Sequence, residues 1–174
     1  EYAEFIADGG YQQPTLWLAE GWTLLQEEGW RAPNYWQRAG EQWRVFGLAG
    51  ERPVVPDEPV SHLSYFEADA YARWAGARLP REGEWELAAG AAPADASLPN
   101  MLESEYLHPV CATGGQGHRQ LLGDVWEWTQ SPYQAYPGYG PGPGALGEYN
   151  GKFMSNQYVL RGGSCVTPHD HIRR

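Results

Sequence analysis

The chain has 174 residues, a formal net charge of −10 and two cysteines, which suits one globular domain and argues against a disulfide framework. The acidic charge disfavours nucleic acid and anionic membrane surfaces as partners, and no apolar run approaches the roughly 20 residues that cross a bilayer, so a cytoplasmic location is expected. Gly (22) and Pro (14), spread among 9 Trp and 11 Tyr, predict many turns, little regular structure and aromatic walls for a pocket or a core.

The N-terminal part of the chain predicts one helix. Residues 1–14 are expected to be extended and loop-like, because Asp8-Gly9-Gly10 is a turn signal. Thr15 is expected to cap a helix that runs from Leu16 to about Glu28 and stops at Gly29. One face of that helix carries residues at helical spacing, namely Trp17, Gly21, Leu24 and Leu25.

Two further helices are predicted in the middle of the chain. The proline-rich stretch 53–59 is expected to be a loop, because proline removes the donors that a strand ladder needs. Ser64 and Glu67 have the spacing of a capping box, in which each side chain satisfies a backbone donor at the start of a helix. Gly76 is expected at the left-handed position after that helix. A second helix is predicted from about Arg81 to Ala89, entered through a proline.

The C-terminal half predicts short strands separated by loops. Residues 90–120 are rich in Ala, Pro and Gly and are expected to be irregular. Residues 121–128 predict a turn and a short strand, and residues 132–147 a long loop that lines a pocket or the surface. Residues 158–160 predict a strand, and the glycines of the following Arg161-Gly162-Gly163-Ser164 allow a sharp turn or a close approach of two backbones.

Three segments in this order carry a family resemblance: AGARLPREGEWELAA at 75–89, GDVWEWT at 123–129 and VLRGGS at 159–164. Their order and spacing resemble the formylglycine-generating-enzyme domain, also called the sulfatase-modifying-factor domain. The resemblance covers about residues 60–164 and implies an α+β, C-type-lectin-like fold with low regular secondary structure. On a strand, Trp126 and Trp128 place both indoles on one side.

A second set of segments narrows the resemblance: 131–139, 147–154, 157–160, 165–168 and 171–173. They are similar to the C-terminal domain of the ergothioneine-biosynthesis sulfoxide synthases of the EgtB type. Members of that family join the thiol of cysteine or γ-glutamylcysteine to the imidazole of hercynine, a trimethylated histidine, using O₂ and a non-haem Fe(II). The resemblance implies one domain over 1–174 that stops before its last strands. It also implies a separate N-terminal DinB-like domain, absent from this chain, that holds the iron.

The five histidines of the chain include no HxxxH pair of the kind expected at that iron site. No iron ligand is therefore expected in this chain, and the chain alone is not expected to turn over. Asp124 and Glu127 are candidate Ca²⁺ ligands, because several domains of this fold bind Ca²⁺ near the GDVWEW segment, although acidic residues in a turn are more often simply solvated.

The resemblance also suggests residues that contact substrates. A trimethylammonium group favours an aromatic cage, for which Trp126, Trp128 and Tyr133 are candidates. Tyr136 and Tyr139 are further cage candidates, and they are the best candidates for a catalytic tyrosine that donates a proton or hydrogen atom, unless they merely brace the loop. Arg173 is a candidate for binding the carboxylates of the thiol substrate.

Two other functions stay open at this point. A copper-dependent formylglycine-generating oxidase would need two cysteines near the RGGS turn, whereas Cys165 has no partner a few residues on and is expected to be a buried structural thiol. A non-catalytic, lectin-like module would use the aromatic Gly/Pro loop at 132–147 as its binding surface.

Overall fold

The computed structural model describes residues 1–91, 99–114, 117–145, 147–148 and 153–172. Its helices are α1 (Tyr2–Ala7), α2 (Ala19–Glu28), α3 (Tyr65–Trp74) and α4 (Glu82–Ala91). Its strands are β1 (Trp36–Ala39), β2 (Gln42–Gly47), β3 (Gly50–Pro53), β4 (Glu127–Pro132) and β5 (Tyr158–Arg161). Turns, short 3₁₀ segments and loops make up much of the remainder, which confirms an α+β fold with low regular secondary structure. Among the described helices, none is long and apolar enough to cross a membrane.

Two small antiparallel sheets organise the strands. The first is a meander in the order β1-β2-β3, and the second pairs β4 with β5 across an irregularity between Trp128 and Pro132. The first sheet is not predicted from the sequence. Its strands are short and its turns have no Asn-Gly or Asp-Gly pair, although Gly40 (φ 63°) and Gly50 (φ 92°) take the left-handed conformations that tight hairpins require.

The expectation that residues 1–14 are extended is wrong, because Tyr2–Ala7 form α1. Tyr2 and Phe5 lie three residues apart on one helix face and are both buried in the main aromatic core. That core comprises Tyr2, Phe5, Tyr11, Trp17, Leu25 and Ala70. The turn signal at Asp8-Gly9-Gly10 ends the helix, with Gly9 in the left-handed conformation, and does not prevent it.

Helix α2 begins later than the sequence suggests. Pro14–Leu16 form a 3₁₀ turn, and the N-cap of α2 is Leu18, so the prediction that Thr15 caps this helix is wrong. The predicted stop is confirmed, since Gly29 is left-handed with φ 67°. Gly21 is required by packing, because a Cβ there would lie 2.5 Å from Cγ of Phe66 on α3.

Helix α3 has the ends that its sequence predicts. Ser64 Oγ accepts a hydrogen bond from the Glu67 amide at 3.2 Å, and Glu67 Oε2 accepts one from the Ser64 amide at 2.8 Å. Beyond the last turn, Gly76 donates to the Arg73 carbonyl at 3.0 Å and is left-handed with φ 68°. The local chemistry of the chain therefore sets both ends of α3.

A buried hydrogen-bonded chain joins α3 to the N-terminal segment. The Tyr11 hydroxyl donates to Glu67 Oε1 at 2.6 Å, and the hydroxyls of Tyr2 and Tyr11 are 3.0 Å apart. Burial raises the pKa of the Glu67 carboxyl, although its hydrogen bonds act in the opposite direction. These contacts satisfy polar atoms that the aromatic core would otherwise leave without partners.

Candidate ligand-binding site

A cavity of about 650 Å³ lies between the first sheet, the loop before α3 and the start of β4. This volume falls within the range of small-molecule sites in proteins. Most of its lining comes from five segments, within 45–52, 60–63, 107–109, 124–128 and 164–166. The GDVWEW and RGGS motifs, which lie far apart in the sequence, therefore meet at one cavity.

Two tryptophans line this cavity. Trp126 and Trp128 both line it, but so do Val125 and Glu127, and Trp126 precedes β4, so the shared side of the two indoles stays a prediction. Trp128 is fixed by a hydrogen bond from its Nε1 to the Leu63 carbonyl at 3.1 Å and by an edge-to-face contact with Tyr65, whose ring centroid is 5.7 Å away. Trp126 is 40% exposed, so part of its ring is accessible to a ligand.

The buried residue Asp124, just before the two tryptophans, is hydrogen-bonded to several loops. Asp124 Oδ1 accepts hydrogen bonds from Asn100 Nδ2 at 2.7 Å and from the Val110 amide at 2.9 Å. Asp124 Oδ2 accepts one from Gln120 Nε2 at 2.9 Å. The Asp124 carbonyl also accepts from the Cys165 amide at 3.0 Å, so one residue connects three loops that border the cavity.

The glycines beside Asp124 and after β5 allow these loops to approach closely. Gly123 donates to the Gly162 carbonyl at 3.0 Å, and a Cβ on Gly123 would lie 2.5 Å from the Asn100 carbonyl oxygen. Gly162 has φ 101°, and a Cβ there would lie 2.7 Å from the Leu121 carbonyl oxygen. The predicted close approach at the RGGS turn is confirmed.

Glu127, the second candidate calcium ligand, is hydrogen-bonded to Trp85. Trp85 Nε1 donates to Glu127 Oε2 at 2.6 Å, and burial raises the pKa of Glu127 to about 7 against the opposing effect of that hydrogen bond. In the described part of the chain, no group of three or more His, Cys, Asp or Glu side chains is arranged to hold a metal ion. Calcium binding by Asp124 and Glu127 stays a prediction.

The loop tyrosines lie outside the residues that line the cavity. The Tyr136 hydroxyl donates to Glu82 Oε1 at 2.7 Å, and this hydrogen bond is the main reason that the pKa of Tyr136 is raised. Tyr139 donates its amide to the Tyr136 carbonyl at 2.9 Å, and Tyr133 is held through its backbone. The structure thus brings together Trp126 and Trp128 but not the three tyrosines, and the remaining candidate, Arg173, lies outside the described residues.

Polar residues that the sequence did not single out line the same cavity. Arg52 Nη1 donates to Glu58 Oε2 at 2.6 Å, and His108 Nδ1 lies 3.8 Å from Glu58 Oε1. His62 has a left-handed backbone (φ 66°), and its ring centroid lies 4.9 Å from that of Tyr35. Partial burial lowers the pKa of His62. Arg52 directly precedes the proline-rich stretch 53–59, and Glu58 lies within it.

The cysteines are both free. Cys165 is buried, as predicted, and burial raises the pKa of its thiol, so it is a poor thiolate ligand at neutral pH. Cys111 is exposed. These properties are those expected of a structural thiol next to the cavity and of a surface thiol.

The chain matches the Sulfatase-modifying factor enzyme 1-like domain over residues 1–107 and 100–174, and it belongs to this family. Among curated relatives, the hercynine oxygenase of Mycobacterium tuberculosis is 41% identical over an alignment that covers 94% of this chain and 42% of that protein. The hercynine oxygenase of Mycolicibacterium smegmatis is 42% identical over 97% of this chain and 44% of its own length. The formylglycine-generating enzyme of Streptomyces coelicolor is 32% identical over 82% of this chain and 54% of its own length. The chain therefore spans less than half the length of the two hercynine oxygenases.

Proposed function

We propose that this chain is the substrate-binding domain of a non-haem iron, O₂-dependent sulfoxide synthase of ergothioneine biosynthesis. The reaction joins the thiol of cysteine or γ-glutamylcysteine to hercynine. The observation that carries the proposal is the cavity walled by Trp126 and Trp128, in a chain about 41% identical to two hercynine oxygenases.

The cavity suits a quaternary ammonium group. The faces of indole rings attract such cations, and the attraction is stronger when the cation and the ring are shielded from water. Burial lowers the pKa of His62 on the same cavity, which favours its neutral form, and the Arg52 guanidinium is paired with Glu58.

Among the described residues, no cluster of three metal-binding side chains fits an iron centre. We assign the iron ligands to a separate DinB-like domain of a longer protein. The role of this chain is then to bind and orient hercynine and to exclude water from the bound cation. The thiol substrate is proposed to be bound in part by Arg173.

Tyr136 and Tyr139 remain the proposed catalytic tyrosines. The Tyr136 phenol is protonated at neutral pH and donates its proton in the hydrogen bond to Glu82, which raises the pKa of the phenol. Both tyrosines lie outside the cavity lining, so their catalytic role is the part of the proposal that the tyrosine variants below test.

The proposal is tested in a longer protein that joins this domain to the iron-binding domain. With Fe(II), O₂, hercynine and a thiol, we expect a C–S bonded sulfoxide, and its absence from the well-folded protein contradicts the proposal. Trp126→Ala is expected to raise KM for hercynine at least tenfold. Tyr136→Phe or Tyr139→Phe is expected to lower kcat with little change in KM, and Tyr106→Phe, an exposed tyrosine outside the cavity lining, is the matched control.

A non-catalytic ligand-binding role makes a different prediction. In that case hercynine binds to the chain, but neither Tyr136→Phe nor Tyr139→Phe changes turnover by the longer protein. A copper-dependent formylglycine-generating oxidase would instead bind Cu(I) tightly through Cys165. The buried thiol with its raised pKa argues against this, and titration with Cu(I) tests it directly.

A further inference from the structure

Arg52 reaches the cavity from a rigid element. It lies on β3 directly opposite Val45 of β2, and opposed residues of an antiparallel pair project from the same face of the sheet. Val45 and Arg52 both line the cavity, and the Arg52 side chain is 24% exposed. Arg52 thus brings a cationic side chain to the lining of a largely apolar cavity, where a guanidinium favours an anionic acceptor.

The hydrogen bond to Glu58 uses only part of the hydrogen-bonding capacity of Arg52. One donor, Nη1, is bonded to Glu58 Oε2 at 2.6 Å, out of the five N–H donors that a guanidinium carries. Arg52 lines the cavity, whereas its partner Glu58 is not among the lining residues. The remaining donors form a planar fork that matches the geometry of a carboxylate.

The Arg52–Glu58 pair is linked through other side chains to the buried carboxylate of Asp124. His108 lies beside Glu58, with Nδ1 3.8 Å from Glu58 Oε1, and this Nδ1 also donates to the Pro109 carbonyl at 2.6 Å. The His108 carbonyl accepts from Asn100 Nδ2 at 2.9 Å, and the same amide group donates to Asp124. A series of contacts through Glu58, His108 and Asn100 therefore links Arg52 to Asp124.

We propose that Arg52 is a carboxylate subsite of this cavity, positioned by Glu58, and that the cavity binds a zwitterion with its quaternary ammonium at Trp126 and Trp128. Binding of the quaternary ammonium group depends on the proposed function, whereas the carboxylate subsite is inferred from the contact between Arg52 and Glu58. The ligand class is a betaine of an amino acid, and a cation of the same shape without a carboxylate binds more weakly.

The test is a calorimetric titration of the chain with hercynine and with its decarboxylated analogue, N,N,N-trimethylhistamine. Hercynine is expected to bind at least tenfold more tightly than the analogue. Arg52→Gln is expected to remove this difference by weakening hercynine alone, and its unchanged affinity for the analogue shows that the variant is folded. Arg44→Gln is the matched control, because Arg44 pairs with Glu51 on the same sheet but does not line the cavity.

The outcomes separate the two proposals. Equal affinity of the wild-type chain for both ligands overturns the carboxylate subsite and leaves the cation site standing. Equal weakening of both ligands by Arg52→Gln shows a purely structural role for Arg52 and also overturns the subsite. If neither ligand binds, the cation site in this chain is wrong, and the subsite proposal falls with it.

Discussion

The N-terminal core and the loops around Asp124 are held in place by different physical means. In the core, Tyr2, Phe5 and Leu25 are buried against each other, and burial of apolar surface supplies the free energy. Around Asp124, a buried carboxylate accepts three hydrogen bonds from separate loops. Apolar packing loses stability in proportion to the volume removed, whereas a polar centre fails when one acceptor is removed, because several donors then lose their partners together.

The largest expected effect is in the core. Phe5→Ala removes a fully buried ring and is expected to lower the free energy of unfolding by about 5 kcal/mol. Phe46→Ala is the matched control, because Phe46 is 56% exposed, and it is expected to change stability by less than about 0.5 kcal/mol. Chemical denaturation of both variants measures the difference. Similar losses for the two variants contradict the assignment of the core to the α1–α3 region.

The second effect is at the polar centre. Asp124→Ala leaves the Asn100, Val110 and Gln120 donors without their acceptor and is expected to cost about 4 kcal/mol. Asp57→Asn, in the exposed proline-rich loop, is the control and is expected to be nearly neutral. A loss below about 1 kcal/mol for Asp124→Ala, measured by the same denaturation experiment, removes the distinction between the two regions.

A smaller effect depends on pH. Burial raises the pKa of Glu127 to about 7 in the folded chain, against 4.5 for an ordinary glutamate, so the folded state binds more protons between these pH values. The stability that the neutral carboxyl contributes is present below about pH 4.5 and is lost as the pH rises through 7. Glu127→Gln keeps an acceptor for Trp85 and stays neutral, so it is expected to exceed the wild type by up to about 3 kcal/mol at pH 8 and to match it near pH 4.5.

Thermal or chemical unfolding from pH 4.5 to pH 8 measures this difference. Glu41→Gln, at the exposed turn between β1 and β2, is the control and is expected to leave the pH profile of the wild type unchanged. If Glu127→Gln gives the same stability profile as the wild type, the buried carboxyl is not the source of the pH dependence.

The predictable parts of the fold are those that local chemistry determines. Both ends of α3 follow from Ser64, Glu67 and Gly76, whose effects act within one helical turn. Helix α1 could not be predicted in this way, because six residues form a stable helix only when Tyr2 and Phe5 are buried against distant residues. The first sheet was missed for a similar reason, since its pairing depends on the tertiary structure more than on the preferences of its strands.

The candidate site could be predicted only in part. Trp126 and Trp128 belong to a recognisable motif, so the sequence indicates both as candidate ligand contacts, and both line the cavity. Arg52 and Glu58 lie close together in the sequence but His108 comes from a distant segment, and nothing in the sequence indicates that the three meet. The left-handed backbone of His62 is likewise set by its surroundings, since a histidine rarely adopts it without tertiary support.

The most direct measurement is calorimetric titration of this chain with hercynine, with histidine as the control ligand. A cavity that recognises the quaternary ammonium group binds hercynine saturably and binds histidine at least tenfold more weakly, and Trp126→Ala removes the preference. Equal affinity for the two ligands, or no binding of hercynine to the folded chain, contradicts a hercynine site formed by Trp126 and Trp128.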